Sequence, residues 1–147
     1  MIEFKIMQES HIPAIAQLEI ENFSEPWSEN SLRSELINPL SLWVVATDNE
    51  AVIGYVGSQI VPDEADMMNL AVNGNYRRMG IGRSLVSYLM ERLQERGVRS
   101  LSLEVRASNT PAIALYEKLG FKQVGQRPGY YRKPREDALI LRKEWSL

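Results

Sequence analysis

Hydrophobic residues recur along the chain with two different spacings, and the spacing changes from helical to strand-like after residue 38. In Ser10–Ile20, and again after Ser28, apolar side chains follow one another at intervals of three and four, which predicts two amphipathic helices. Short β-rich runs then cover Leu42–Thr47, Ala51–Val61 and Ala65–Val72, separated by turn residues. Because these connections are too short for crossovers, we expect the three strands to form an antiparallel meander.

The second half of the chain alternates between helical and strand-like patterns. The longest amphipathic stripe predicts a helix over Gly80–Arg96, and a shorter helix is predicted over Pro111–Leu119. A strand at Leu101–Arg106 separates them, and two β-like stretches, Phe121–Val124 and Ala138–Arg142, follow. The predicted order is α-α-β-β-β-α-β-α-β-β, an α/β (α+β) arrangement in which the crossover helices require parallel or mixed pairing.

Composition limits both the size of the fold and the kinds of chemistry available. The length of 147 residues and an apolar fraction of 44% suit a single domain, residues 1–147, that can bury a core. A formal charge of −2 argues against a general nucleic-acid binder, which usually carries a basic excess. The absence of cysteine excludes thiol nucleophiles, disulfides and zinc–thiolate sites. His11, the one histidine, leaves little for a catalytic triad or a histidine metal site.

The sequence also lacks signals of export and of membrane insertion. Residues 1–10 contain neither a basic segment followed by an apolar one nor a small-residue cleavage site. No apolar run approaches the roughly 18–20 residues of a membrane span. We therefore expect a cytoplasmic protein that contacts neither a membrane nor nucleic acid directly.

A glycine-containing loop precedes the longest predicted helix. The segment Tyr76-Arg-Arg-Met-Gly-Ile-Gly-Arg83 places free backbone N–H groups, a helix dipole and three arginines together, which predicts a cradle for a phosphate or pyrophosphate. The alternative is that Gly80 and Gly82 only relieve crowding at a helix start. A Walker A loop is unlikely because its lysine is missing. A dinucleotide-binding loop would need a third glycine at the position of Leu85. Glu104, however, follows the loop at the distance expected for the acidic residue that binds a ribose in such a site.

Three further residues follow this loop with a spacing that favours catalysis. Glu104 lies in an otherwise apolar strand, where it is a candidate general base; the alternative is an exposed glutamate paired with Arg106. Asn109 and Tyr116 are seven residues apart, two helical turns if Asn109 begins the helix. Taken singly, Asn109 is typical of an N-cap and Tyr116 of a packing residue. Their combination is the stronger signal.

Two motifs in this order resemble a known enzyme superfamily. Arg77-x-x-Gly-x-Gly, followed by Asn109-x-x-Ala-x-x-Leu-Tyr116-x-x-x-Gly-Phe121, resembles the GNAT superfamily of acetyl-CoA-dependent N-acetyltransferases. The chain is also similar to the superfamily's RimI-like branch, the ribosomal-protein-alanine N-acetyltransferases, over roughly Ile20–Leu141. The segments that carry this second similarity are Leu103–Asn109, Tyr130-Tyr131, Arg135–Ala138 and Phe23-x-x-Pro26-Trp27.

The resemblance implies a fold, a reaction and a set of site residues. The fold is a mixed, mostly antiparallel central sheet flanked by helices. The reaction is direct acetyl transfer, in a ternary complex and without a metal, from acetyl-CoA to the N-terminal alanine of a ribosomal protein, the eighteenth of the small subunit. Glu104 is implied as the proton acceptor and Tyr116 as the proton donor. The implied acetyl-CoA contacts are Leu70, Ala71, Val72, Arg78, Met79, Gly80, Ile81, Gly82, Arg83 and Asn109.

Other acceptors and another function class are alternatives to this interpretation. A lysine side chain, a polyamine or another small amine would suit the same fold, and a non-catalytic acyl-CoA-binding module is a further alternative. Phe23, Trp27 and Arg127–Tyr131 are candidates for a peptide groove, while Trp27 alternatively staples the first two helices together. Arg132-Lys-Pro departs from the flexible polar turn that the resemblance implies after Tyr131.

Overall fold

The computed structural model describes residues 1–145 as one twisted sheet covered by helices on both faces. The strands of the sheet are β1 (Ile2–Ile6), β2 (Ser41–Asp48), β3 (Ala51–Val61), β4 (Glu64–Val72), β5 (Ser100–Arg106), β6 (Lys122–Arg132) and β7 (Arg135–Glu144). The α-helices are α1 (Ile12–Asn22), α2 (Glu29–Ile37), α3 (Ile81–Glu95) and α4 (Thr110–Lys118). The strand order is β1-β2-β3-β4-β5-β7-β6, and the β4–β5 pair is the parallel one.

This architecture confirms the predicted fold class, a mixed and mostly antiparallel sheet flanked by helices. The meander is formed by β2, β3 and β4, which pair antiparallel in sequence order. The predicted cap of the second helix is also present, since Ser28 Oγ accepts a hydrogen bond of 3.1 Å from the backbone N–H of Ser31. The long helix α3 buries the predicted stripe, with Leu85, Leu89 and Leu93 fully enclosed.

Three element boundaries differ from the sequence prediction. Strand β1 was not predicted, because its charged and apolar residues alternate over only five positions. Helix α1 begins at Ile12 rather than Ser10, because Glu9–His11 form a separate 3-10 turn. Strand β6 extends to Arg132, and β7 begins at Arg135. Most of the expected loop between them is therefore an extended hairpin.

The two faces of the sheet carry separate hydrophobic clusters. On one face, helices α3 and α4 pack against the apolar residues of β2 to β5. On the other face, α1 and α2 pack over an aromatic group formed by Trp43 of β2 and Tyr55 of β3, whose rings stack 6.2 Å apart. Trp27 adds a third ring, edge-on to Trp43 at 5.2 Å.

A β-bulge in β4 lies beneath this aromatic group. Val56 pairs with Leu70 and Ser58 with Met67, so Met68 and Asn69 of β4 stand opposite the single residue Gly57. A bulge bends its strand and increases the local twist. β4 and β5 separate just before the bulge: their parallel ladder covers the pairs Glu64–Ser100, Ala65–Leu101 and Asp66–Ser102 in the described chain. The rest of β4 is paired with β3 alone.

We expect replacement of Gly57 by alanine to destabilise the protein. A Cβ atom at this position would lie 2.4 Å from Cε2 of Trp43, whose indole is held by its neighbours and by a hydrogen bond of 3.0 Å to Glu35. Overpacking of this kind typically costs about 1–3 kcal/mol. Urea unfolding monitored by tryptophan fluorescence measures the loss. Gly74→Ala is the control, because a Cβ there meets nothing within 4 Å; equal stabilities of the two variants would contradict the prediction.

Candidate active site

The separation of β4 and β5 opens a cleft of about 1000 Å³. Three elements besides the two strands contribute to its walls: the α1–α2 loop with the end of α1, helix α4 with its N-cap, and the β6–β7 hairpin. The lining residues are Asn22–Glu25, Met67–Leu70, Glu104–Arg106, Asn109, Ala112, Tyr116 and Tyr130–Pro134. The cleft therefore contains both catalytic candidates, Glu104 and Tyr116, together with Asn109, one of the implied acetyl-CoA contacts. These residues lie up to twelve positions apart in the sequence.

Glu104 reaches the cleft from β5, where its backbone pairs with Ile140 of β7. Its side chain is 31% exposed and lies 3.5 Å from Nε of Arg127, measured to Oε1. The alternative that paired it with Arg106 is wrong, because Arg106 bonds to Glu136 at 3.3 Å instead. A partly exposed carboxylate with one cation, Arg127, beside it can still accept a proton from a bound amine.

Arg106 fixes the hairpin that forms one wall of the cleft. Its guanidinium donates to the carbonyl oxygens of Pro134 at 2.9 Å and Lys133 at 3.1 Å. It also lies 4.2 Å from the centre of the Tyr131 ring, a cation–π distance. The segment Arg132-Lys-Pro, which departs from the expected flexible turn, is thus held by a side chain of β5.

Tyr116 lies deep in the cleft wall. It is 5% exposed, and its ring packs edge-on against Phe121 at 5.6 Å. Burial raises the pKa of the Tyr116 phenol well above its ordinary value, and the nearby Tyr131 acts in the same direction. Burial likewise raises the pKa of Tyr131 to about 12. Both hydroxyls therefore carry their protons at neutral pH and can donate them.

The glycine loop enters α3 beside the cleft. Gly80 adopts a left-handed conformation with φ of 75°, which favours glycine, and it occupies the N-cap without a side-chain cap from the described residues. The first turn contains no acidic residue, so its backbone N–H groups are available to an anion. A Cβ on Gly82 would lie 3.6 Å from Leu115, 3.8 Å from Val72 and 4.0 Å from Leu70.

The remaining predicted contacts divide between the cleft and its surroundings. Leu70 lines the cleft, and Ala71 and Val72 continue β4 toward the glycine loop, paired with β3. Arg78 and Met79 are exposed on the loop, outside the cleft walls. Arg83 borders a separate shallow depression of about 330 Å³ beside α3. Ile81, by contrast, points into the hydrophobic core.

The N-cap role predicted for Asn109 is confirmed, while its contact with acetyl-CoA stays a prediction. Asn109 is the N-cap of α4, where Oδ1 accepts a hydrogen bond of 3.3 Å from the backbone N–H of Ala112. It also lines the cleft. The cap uses the amide oxygen, and within residues 1–145 nothing accepts a hydrogen bond from its Nδ2.

The aromatic candidates for a peptide groove are only partly brought together. Phe23, Tyr130 and Tyr131 line the cleft, and the two tyrosine rings contact edge-on at 5.1 Å. Trp27 instead packs against Trp43 and is absent from the described cleft walls. Its assignment to the groove is therefore wrong, and it anchors the α1–α2 loop to the core.

Glu19 is a further polar residue next to the cleft that spacing alone does not single out. It is fully buried under the α1–α2 loop and bonds to the side chain of Asn69, which lines the cleft. The sequence feature that could have identified Glu19 is its position on the apolar stripe of α1, four residues after Ile15. A carboxylate at such a position needs hydrogen-bond donors inside the fold.

No group of three or more His, Cys, Asp or Glu side chains in residues 1–145 is arranged to hold a metal ion. None of the helices in this range has the length and apolar character needed to cross a membrane.

The sequence is similar to that of known proteins along most of its length. The model of the acetyltransferase (GNAT) family matches residues 12–121. The [ribosomal protein bS18]-alanine N-acetyltransferase of Escherichia coli (strain K12) is 40% identical over 137 residues, which cover 92% of each chain.

Two solved structures extend the comparison to three dimensions. The crystal structure of the ribosomal-protein-S18-alanine N-acetyltransferase from Escherichia coli superposes with a TM-score of 0.90, at 38% identity, over 100% of this chain and 96% of the other. The crystal structure of the NatC complex bound to Gag peptide and CoA has a TM-score of 0.87, at 26% identity, over 99% of both chains. Because the family model matches residues 12–121 and a relative is 40% identical over 92% of the chain, the chain belongs to the acetyltransferase (GNAT) family.

Proposed function

We propose that the protein transfers the acetyl group of acetyl-CoA to the α-amine of the N-terminal alanine of ribosomal protein bS18. The observation that carries this proposal is the cleft between β4 and β5, where Glu104 and Tyr116 face one space beside the part of β4 that is no longer paired with β5. The 40% identity to the Escherichia coli enzyme of that name, over 92% of the chain, supports the choice of acceptor.

The walls of the cleft favour a peptide over a polyamine. A polyamine site would be lined mainly by acids, whereas this cleft combines Glu25 and Glu104 with Arg106, Arg132 and Lys133. The mixed charges, the exposed Tyr130 and the half-buried Tyr131 suit an extended peptide that enters from one end. A lysine side chain fits the same cleft, so the acceptor needs a direct test.

The acetyl-CoA site proposed here follows the family pattern onto this chain. The exposed edge of β4 at Leu70–Val72 would bind the pantetheine arm, and the first turn of α3 with Arg78–Arg83 would bind the pyrophosphate. The uncapped helix start and the space above Gly80, where a Cβ would meet nothing within 4 Å, fit a phosphate group. Asn109 would contact the same molecule through its side-chain amide.

Two proton movements are assigned to the chain's own residues. Near neutral pH an α-amine, with a pKa of about 7.7–8.0, is mostly an ammonium ion, so Glu104 would accept its proton, directly or through water. When bound, acetyl-CoA supplies the activated acetyl thioester. Backbone N–H groups near Leu70 would stabilise charge on the carbonyl oxygen. Tyr116 would donate its phenolic proton to the departing sulfur.

We further propose direct transfer within a ternary complex in the cytoplasm, on one domain formed by residues 1–147. The sequence contains no cysteine, so no cysteine-bound acetyl intermediate is possible. The cleft is large enough to admit a peptide end and an acyl thioester together. A ribosomal protein is an expected partner in the compartment where ribosomes are assembled.

An acceptor panel tests the proposed function. The panel contains a peptide with the free N-terminal sequence of bS18, the same peptide with a blocked N-terminus, a lysine-containing blocked peptide and spermidine. We expect thiol release from acetyl-CoA with the free peptide alone, and mass spectrometry should locate the acetyl group on its α-nitrogen. Turnover confined to the blocked lysine peptide or to spermidine would contradict the N-terminal assignment.

Glu104→Gln should slow acetyl transfer by about 100-fold or more, because the variant loses the proton acceptor but keeps the shape of the side chain. Acetyl-CoA affinity, measured by isothermal titration calorimetry, should stay unchanged. The control is Glu3→Gln, an exposed strand glutamate on β1 at the far edge of the sheet. If the rate of the Glu104 variant matched that of the wild type from pH 6 to pH 9, Glu104 would not be the base.

Tyr116→Phe should slow turnover by about 10- to 100-fold, because a positioned proton donor is lost. The phenylalanine retains the edge-on packing against Phe121, so thermal stability should change little. Tyr88→Phe on α3, outside the described walls of the cleft, serves as the control and should keep the wild-type rate. Full activity of Tyr116→Phe would remove this hydroxyl from the reaction.

A further inference from the structure

Glu19 is a carboxylate enclosed entirely by protein. Its side chain is 0% exposed, and the partners described for it are neutral hydrogen-bond donors. The backbone N–H of Trp27 donates to Oε1 at 2.8 Å, the hydroxyl of Tyr55 donates to Oε2, and Nδ2 of Asn69 lies 3.0 Å and 3.1 Å from the two oxygens. These donors offset the cost of burying the carboxylate.

The same carboxylate determines which way the Asn69 amide points. The oxygens of Glu19 accept hydrogen bonds and cannot donate them, so the amide must present its nitrogen to Glu19. Its oxygen, Oδ1, then lies on the opposite edge of the planar amide group and does not face Glu19. Asn69 is half-buried and lines the cleft, and no donor among residues 1–145 bonds to Oδ1. The cleft therefore receives an acceptor of fixed orientation.

The β-bulge brings this acceptor to the reacting end of the cleft. Asn69 is one of the two bulged residues opposite Gly57, and it directly precedes Leu70, at the point where β4 has left β5. Glu104, on the other side of the opening, belongs to β5. An amine held between these strands would meet a carboxylate on one side and an amide oxygen on the other.

We propose that Asn69 Oδ1 binds the α-ammonium group of the acceptor, and that Glu19 is the positioning residue that holds this oxygen toward the cleft. The inference rests on the proposed function, because it assigns a subsite for the amine whose acetylation that function describes. It adds a recognition element that is distinct from Glu104, the group that accepts the proton.

A neutral acceptor suits this position chemically. An ammonium ion carries several N–H donors, and Glu104 can accept only part of them. A second carboxylate in contact with the amine would favour the charged form and oppose its deprotonation. The amide oxygen of Asn69 accepts an N–H from the ammonium ion and from the neutral amine alike, so it can hold the nitrogen before and after the proton leaves.

Binding of matched peptides in the presence of CoA tests the subsite without requiring turnover. The probes are the free bS18 N-terminal peptide and its des-amino analogue, in which a propionyl group replaces the alanyl residue. The wild type should bind the free peptide at least about 10-fold more tightly, the effect of one hydrogen bond to a charged group. Asn69→Ala should reduce the preference for the free peptide over its des-amino analogue by about 10-fold. Glu19→Gln should reduce it by about 3-fold or more, because glutamine can also donate and no longer fixes the amide.

Glu35→Gln is the matched control. Glu35 is likewise a buried carboxylate, and it accepts from Trp43 and Gln59 at 3.0 Å each, away from the cleft. Its variant should keep the wild-type preference, and all variants should keep the wild-type KM for acetyl-CoA. A wild type that acetylates the free peptide, but whose preference survives both Asn69→Ala and Glu19→Gln, would overturn the subsite alone. A wild type that neither acetylates nor prefers the free peptide would overturn the proposed function together with the subsite.

Discussion

The architecture of the site depends on one constraint, the early end of the parallel ladder between β4 and β5. After Asp66 and Ser102 the two strands no longer exchange hydrogen bonds, so the backbone of β4 beyond this point is open on one side. Buried backbone groups normally find partners. Here the missing neighbour strand is replaced by a cleft, and the free groups of β4 become available to a ligand. The bulge at Met68–Asn69 bends β4 at the same place.

Both walls of the cleft are held from behind by polar contacts. On one side, Glu19 of α1 accepts hydrogen bonds from the backbone of Trp27 and from Asn69, so it joins the α1–α2 loop to the bulge. On the other side, Arg106 fixes the turn at Lys133–Pro134 and stacks on Tyr131. Hydrogen bonds that involve charged groups are stronger and more directional than apolar packing. The cleft is therefore pre-shaped before any ligand enters.

The sequence predicted the parts of the structure that depend on local periodicity. The stripe of α3, the meander and the cap at Ser28 all follow from residues close in the chain. The length of β6 could not be predicted, because Arg127–Gly129 carries proline and glycine yet lies at the edge of the sheet, where proline is tolerated. The pairing of Glu104 with Arg127 likewise depends on strand order, which the sequence leaves open.

Buried polar residues explain why the site was less predictable than the fold. An apolar stripe specifies which face of a helix is buried, and a carboxylate at Glu19 contradicts that pattern until Tyr55, Asn69 and Trp27 are known to surround it. These partners come from β3, β4 and a loop, so no spacing rule relates them. A group that costs free energy when buried alone persists only where the fold supplies its donors. A charged residue at a position where the hydrophobic pattern predicts an apolar one is thus the signal of a functional region. Here that residue is Glu19, and it points to the bulge beside the reacting end of the cleft.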